Sequence, residues 1–420
     1  MHTYTTTTHT SISSRNRSSS NMLLKIILLS LLTGTAAYQT FESWKKDKTY
    51  ASKQEERLRK AIYETNLEKI VMHNLSGGSH KLGINQFMDL KDHELPRGYD
   101  KSLHRESTTA TSTATDTAIT EQERHLAESD LFESLNINIQ PVEALPDSVD
   151  WRFAATPVKD QGRCGSCWAF SSIAALESHL YLNEGLLYSL SVQQTVSCAP
   201  NVKHCGGEGG CLGATSVQAY EYLMKAGIVQ EWTYGNSYDS FHGGQVECRL
   251  TPAPHHETLV SGAIATIDGF ITLPLNNYTI MMNAVAKLGP IVISVAAQGW
   301  GLYAGGVFHH DFSNSQDADI NHAVVLMGYG TDEQTGEGYW LVRNSWGPRW
   351  GEAGYIRLYR EDPAVSPDHD QCAMDVTPGD GDACKIDDNG NPIDPLPDQK
   401  ICGTSGAYTN GYIPVGVKLY

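Results

Sequence analysis

Cys164 and Cys167 stand three apart in a glycine-rich turn, QGRCGSCWAF (161–170), that leads into an aromatic, helix-like run. Two cysteines so spaced suit half of a metal site, a redox pair, or a nucleophile beside a structural cysteine. A structural zinc needs a second C-x-x-C or a spaced histidine pair. None follows, so neither metal nor cofactor is expected. A thioredoxin-type pair sits between a parallel strand and a helix, whereas FAATPVKDQGR before Cys164 is a loop broken by proline and glycine. Spacing alone carries the redox reading. The third chemistry needs a thiolate, which the N–H groups and dipole at a helix N-terminus favour, and Cys167 opens the helical run.

A nucleophilic thiol also needs a base and a group to orient that base. Of sixteen histidines, His322 is singled out by geometry. It opens the apolar run HAVVLMGYG (322–330), and Asn344 closes GYWLVRNSWG (338–347). The turn-rich TDEQTGEG between them suits an antiparallel hairpin, in which the start of one strand meets the end of the next. Asn344 can then accept the imidazole N–H, and Trp346 can lie over the pair and exclude water.

The elements that must position these groups form two regions. Residues 39–75 carry a helical period through Phe41, Trp44, Leu58, Ile62, Leu67, Ile70 and Val71, and GINQFMDL (83–90) alternates as a short strand does. STTATSTATDTAIT (107–120) has little to bury and reads as a protease-exposed linker. A new domain starts near ALPDSVDWR (144–152). Phe170, Ile173, Ala174, Leu180 and Tyr181 fall on one helical face, predicting an amphipathic helix after Cys167. Beyond about residue 255 strands dominate: 291–297, 322–330, 338–347 and 354–360. A helix-rich half before a β-rich half predicts an α+β architecture with a cleft between lobes.

The chain has 420 residues and a net charge of −17, which leaves no basic surplus for a nucleic-acid partner. Nine cysteines suit an oxidising compartment, and the odd count leaves one thiol unpaired. MLLKIILLSLLTGTAA (22–37) reads as a secretory signal, too short to span a bilayer comfortably, with Met22 as an alternative start and a transit peptide as the rival reading.

Cys164-Gly165-Ser166-Cys167-Trp168 resembles the nucleophile signature of papain-like cysteine proteases, and NHAV and NSWG resemble that family's His and Asn motifs. His322 and Asn344 lie 155 and 177 residues after Cys167, beyond the usual roughly 130–150, which implies loop insertions. Glu55, Arg59, Asn66, Ile70 and Asn74 repeat the ERFNIN spacing of cathepsin L-like propeptides, with Tyr63 at its Phe position. Gly83, Asn85, Phe87 and Asp89 repeat the G-x-N-x-F-x-D motif.

The resemblance implies a papain-like two-lobed fold behind a helical propeptide. The expected layout is extension and signal (1–37), inhibitory propeptide (38–100), linker and processing region (101–144), and peptidase domain (145–420) with an insertion at 361–400. It implies a cysteine endopeptidase made as a self-inhibited zymogen, working by thiolate attack and a thioester. Catalytic roles then fall to Gln161 (oxyanion donor), Cys167, His322 and Asn344, with Trp346 supporting. GGCLGA (209–214) resembles the loop that pairs with extended substrate, so Gly213 and Ala214 are substrate-binding candidates, Ala214 narrowing a subsite. Partners are protein and peptide substrates and the chain's own propeptide, with no membrane for the mature, monomeric form. The location is the secretory route, ending in the lysosome or vacuole or outside the cell.

The resemblance also implies Cys164–Cys211 and Cys198–Cys248 disulfides. Cys402 resembles a late cysteine whose usual partner precedes the catalytic His, yet no cysteine lies between Gly289 and His322. Cys402 is therefore expected to pair with Cys372 or Cys384, tying the insertion to the β lobe and leaving Cys205 with the other. A binding-only pseudoenzyme is an alternative, though neither nucleophile nor base is missing. The His255–His256 and His309–His310 pairs read as solvated loop residues and DDNGNP (387–392) as a solvated acidic loop rather than a calcium site. Asn74 and Asn277 head N-x-S/T triplets open to glycosylation on the secretory route, with Asn74's match to the propeptide motif as the rival reason for its presence.

Overall fold

The computed structural model describes residues 39–98, 138–235, 238–251, 259–310, 312, 318–364 and 372–420. The 22–37 apolar stretch, the 107–120 segment and His255–His256 lie outside them. No helix among the described residues is long and apolar enough to cross a membrane.

The N-terminal region folds as α1 (Phe41–Trp44), α2 (Lys53–Ser76) and β1 (His80–Leu82). Helix α2 starts where the Ser52 hydroxyl accepts the Glu55 N–H at 3.1 Å and stops at Gly77, whose φ of 76° is left-handed. It buries Tyr63, Leu67 and Ile70 against Phe41, Leu82, Met88 and Leu302, while Leu58 is exposed. The single helical period expected over 39–75 is thus broken between α1 and α2.

GINQFMDL is not a strand. Asn85 Oδ1 accepts the Phe87 N–H at 2.9 Å and its amide donates to Gly301 O at 2.7 Å, bending the backbone into turns. Helix α2 grips this turn through the motif side chains. Arg59 donates to Asp89 O and pairs with Glu94, and Asn66 donates to the carbonyls of Met88 and Leu90. Asn74 exchanges two bonds with Leu82. That places the Asn74 amide inside the fold rather than free for a glycan.

The remainder contains β2 (Val149–Asp150), α3 (Cys167–Glu184), α4 (Val192–Cys198), α5 (Ser216–Ala226), α6 (Glu231–Tyr234), β3 (Ala265–Thr266), β4 (Gly269–Thr272) and α7 (Tyr278–Lys287). Then follow β5 (Ile291–Val295), β6 (Tyr303–Phe308), β7 (His322–Thr331), β8 (Gly338–Arg343), β9 (Tyr355–Tyr359), β10 (Cys372–Asp375), β11 (Gln399–Cys402), β12 (Tyr412–Val415) and β13 (Lys418–Leu419). The main sheet runs β1-β6-β9-β8-β7-β5-β12-β4, with β2 also on β7. The architecture is α+β, as expected, and β1 adds a strand from the N-terminal region to the sheet edge.

The unbroken apolar run in β7 has a physical reason. Val324 and Leu326, with Ile291, Ile293, Trp340 and Val342, pack into the core that holds α7. Val325 and Met327, with Val292 and Leu341, pack into the core built on α3. A central strand covered on both faces needs apolar residues at every position. Helix α3 is likewise buried all round from Cys167 to Leu180, not amphipathic as expected. Its inward polar groups are satisfied: Glu177 pairs with Lys159 at 2.9 Å and accepts the Leu190 N–H at 2.8 Å.

Four disulfides join Cys164–Cys211, Cys198–Cys248, Cys205–Cys384 and Cys372–Cys402. Cys402 pairs within the β10–β11 hairpin, where Cys372 is its register partner. Cys384 crosses to the helical side. Peptide mapping under non-reducing conditions should recover these four pairs and a single alkylatable thiol, Cys167. A Cys384–Cys402 peptide would contradict the pairing.

Candidate active site

Cys167 is the first residue of α3 and is 2% exposed. Since Cys164 is bonded to Cys211, the C-x-x-C is not a redox pair. The Ala323 N–H donates to Cys167 Sγ at 3.3 Å, so β7 delivers its first residues to the helix N-terminus. His322, one residue earlier, is 3% exposed and donates from Nε2 to Asn344 Oδ1 at 2.8 Å.

That donor assignment follows from a third group. Asn344 Oδ1 also accepts the Ser345 backbone N–H at 2.7 Å, which identifies it as oxygen and leaves His322 to donate. The other ring nitrogen, Nδ1, is buried with no hydrogen-bond partner among the described residues. Trp346 stacks on the imidazole with centroids 5.0 Å apart, and Trp300 meets its edge at 6.2 Å. The hairpin places Val325 opposite Arg343, so His322 and Asn344 meet on a diagonal beyond the last rung.

Gln161 is fully buried. Its Oε1 accepts the Ser345 hydroxyl at 2.6 Å, which aims Nε2 at Cys164 O (2.9 Å) and Arg97 O (3.4 Å). Ser345 was not singled out from the sequence, yet it fixes both Asn344 and Gln161. Its signal was adjacency, inside NSWG. Gly213 adopts a φ of 86° beside the Cys164–Cys211 bridge. Ala214 is buried in the cluster around Trp168 and Tyr220, where its methyl serves packing.

The N-terminal region covers the site. Gln86 donates to Trp346 O and Trp346 Nε1 donates to Pro96 O, each at 2.6 Å. Arg97 donates to Ala297 O at 2.9 Å, and the Gly98 N–H donates to Asn321 O at 2.7 Å. A Cβ on Gly98 would lie 3.1 Å from Asn321 O and 3.4 Å from Cys167 Sγ. The backbone therefore passes directly over the thiol. Under this cover, burial pushes the Cys167 thiol up to about 12 and the His322 imidazole down to about 3, with Arg97 adding to the latter.

Residues 145–377 match the Papain family cysteine protease family, and residues 41–95 match the Cathepsin propeptide inhibitor domain. The chain belongs to the papain family of cysteine proteases. It is 35% identical over 356 residues to Cathepsin L of Sarcophaga peregrina, spanning 80% of this chain and 94% of that protein. It is 32% identical over 361 residues to a Cathepsin L-like peptidase of Aedes aegypti, spanning 81% and 95%. The structure resembles digestive procathepsin L 3 of Tenebrio molitor larval midgut, with a TM-score of 0.60, 26% identity and coverage of 90% and 100%. A recombinant stem bromelain precursor gives 0.59, 28%, 89% and 97%. This papain-family protein is a cysteine endopeptidase made as a zymogen with its inhibitor domain attached.

Other candidates fall outside the site. His309 is exposed but bonded to Glu337 at 3.0 Å and stacked on Tyr359; His310 bonds the Ser405 hydroxyl at 3.0 Å, so neither is simply solvated. Asp387 spends its carboxylate on the N–H groups of Asn389 and Asn391, and no cluster fit for a metal occurs among the described residues. Asn277 caps α7.

Gly98→Val should lift the segment off the thiol. Alkylation of Cys167 in the intact zymogen should rise by about tenfold, as expected for losing roughly 1.4 kcal/mol of cover. An unchanged rate would show that Gly98 does not seal the site.

Proposed function

We propose that Cys167 is the nucleophile and His322 its acid/base partner, with Asn344 orienting the imidazole. Gln161 Nε2 and the Cys167 backbone N–H receive the oxyanion. One observation carries the reading: Asn344 Oδ1, held by Ser345, accepts the Nε2 hydrogen bond of His322 and leaves a bare, buried Nδ1 on the residue next to Ala323, whose N–H meets the Cys167 thiol at a helix N-terminus.

With the cover removed, Nδ1 takes the Sγ proton and the helix N-terminus favours the thiolate. Sulfur attacks the peptide carbonyl carbon, and the carbonyl π electrons move onto oxygen. His322 passes its proton to the departing amine, giving a thioester. Water then loses a proton to His322 as it attacks, and the acid product and free thiol are released. Arg97 O, within reach of Gln161 Nε2, stands where a substrate carbonyl would be polarised.

Residues 38–100 act as the inhibitory segment, 101–144 as the processing region and 145–420 as a monomeric peptidase domain cutting proteins and peptides. Four disulfides with one free thiol support the secretory route, to a lysosome, vacuole or the exterior.

An active-site-directed alkylator should label Cys167 with one equivalent per activated enzyme and abolish hydrolysis. Cys167→Ala should lower kcat by about four orders of magnitude or more. Hydrolysis at the wild-type rate by that variant would refute the mechanism.

Acid should open the zymogen through histidines. His322 is lowered to about 3 and His80, half-buried on β1 beside Phe308, to about 4. Exposed, each takes up a proton near 6.5, so release gains from proton uptake as pH falls from about 6.5 towards 4, and not above 6.5. A route through carboxylates is weaker there, because Arg59 keeps Glu94 below its ordinary range despite partial burial. Relative to the mature enzyme, Cys167 alkylation in the zymogen should rise across that window, and His80→Phe should move the rise to lower pH. Superimposable curves would remove His80 from the trigger.

A further inference from the structure

The insertion between Cys372 and Cys402 is not a surface appendage. Its middle, Gly381–Ala383, passes between the two lobes. On the β side, a Cβ on Gly381 would lie 1.8 Å from Ile320 O, so the two backbones touch. Ile320 directly precedes Asn321, whose carbonyl holds Gly98 over the thiol. On the helical side, the Gly206 N–H donates to Ala383 O at 3.0 Å. A Cβ on Gly206 would meet Gly381 O, the Thr215 methyl and the Ala214 backbone within 2.6–3.2 Å. The Cys205–Cys384 bond seals that contact. The insertion thus closes the space between the 213–215 loop and the residues leading to His322.

One side chain of this crossing is a carboxylate. Asp382 is half-buried and accepts from the Ser294 hydroxyl (3.2 Å), the Tyr412 hydroxyl (3.2 and 3.3 Å) and the Asn410 amide. All three are neutral, and no Lys, Arg or His among the described residues pairs with Asp382. Ser294 is the register partner of Ala323, whose N–H touches Cys167 Sγ. Neutral donors hold a carboxylate in place without cancelling its charge, and burial raises its proton affinity. The rest of the 372–402 stretch carries six further aspartates against two lysines.

We infer that the insertion forms one wall of the substrate cleft and that Asp382 selects substrates carrying a lysine or arginine side chain close to the scissile bond. This rests on the peptidase reading above and extends it to substrate class. A cation in this wall would replace water at a partly desolvated carboxylate, forming a charge-assisted hydrogen bond. A neutral side chain there would leave the charge uncompensated.

The test uses activated enzyme and fluorogenic peptides in which each position flanking the cut carries Lys, Arg, Leu or Glu in turn. At one position, Lys and Arg should exceed Leu in kcat/KM by about tenfold or more. In Asp382→Asn that ratio should fall towards one, and in Asp382→Glu, which keeps the charge, much of it should survive. Wild-type enzyme that cuts peptides without preferring Lys or Arg anywhere overturns the inference, whether or not the variants fold. So does a preference that Asp382→Asn leaves intact, which would confine Asp382 to anchoring the insertion. Wild type that cuts no peptide overturns both readings, and the stoichiometry of Cys167 alkylation separates that failure from loss of preference alone.

Discussion

Asn344 Oδ1 accepts two hydrogen bonds, from the Ser345 backbone and from His322, and the chemistry of the site depends on that double acceptance. A neutral imidazole has one N–H and one lone pair, and only the lone pair can take a thiol proton. An amide free to rotate could present its nitrogen and reverse the assignment. The Ser345 N–H prevents rotation, because an amide nitrogen cannot accept it. The Ser345 hydroxyl on Gln161 Oε1 applies the same logic to the proposed oxyanion donor. One residue therefore aligns both Asn344 and Gln161, the groups proposed to orient the base and polarise the carbonyl, and both depend on where strand β8 ends.

The inhibitory segment exploits the requirements of this machinery. Thiolate and imidazolium need hydration or each other, and the cover withdraws water from both, favouring the neutral thiol and neutral ring. Inhibition is thus electrostatic as well as steric. Its anchoring is distributed: β1 adds to the sheet edge, Phe87 meets Trp346 edge-on at 5.4 Å, and Gly98 crosses the thiol. Holding the segment at separate points keeps it in place when one contact fluctuates, and histidines stand at two of those places, His322 buried and His80 half-buried, as the groups proposed to couple release to acid.

Much of this was legible in sequence because it rests on local chemistry. The hairpin turn after β7, the cysteine at a helix start and the two Asn and Gln amides are all visible as residue types at fixed spacing. What was not legible came from tertiary demands. GINQFMDL alternates like a strand, but Asn85 uses its side chain on its own backbone and on Gly301, which only the folded partner supplies. Helix α3 was read as one-sided because Ser, Glu and His interrupt its apolar residues. Each of those is instead matched to a buried partner, such as His179 on Pro290 O at 2.8 Å. Ala214 looked like a cleft residue from its motif and is a core residue by its packing.

The insertion ties Cys402 differently from the pairing that the family resemblance implies. A bond from Cys402 to a cysteine before His322 would tie two segments of one lobe. Here Cys372–Cys402 closes a loop within the β side, while Cys205–Cys384 joins residues 179 apart and reaches the other lobe. On the chain-entropy model each closure opposes unfolding by about 3–5 kcal/mol, less where the two loops constrain the same chain. A tether alone would leave the lobes free to shift within the slack of the chain. Between the two bonds, however, Gly381 abuts Ile320, Ala383 O takes the Gly206 N–H, and Asp382 is held by Ser294, Asn410 and Tyr412. These contacts remove the slack, so the insertion works as a brace. A brace that fixes lobe spacing also fixes the position of any charged group it carries, and the charge at Asp382 stands at a constant offset from the strand that delivers Ala323 to the thiol.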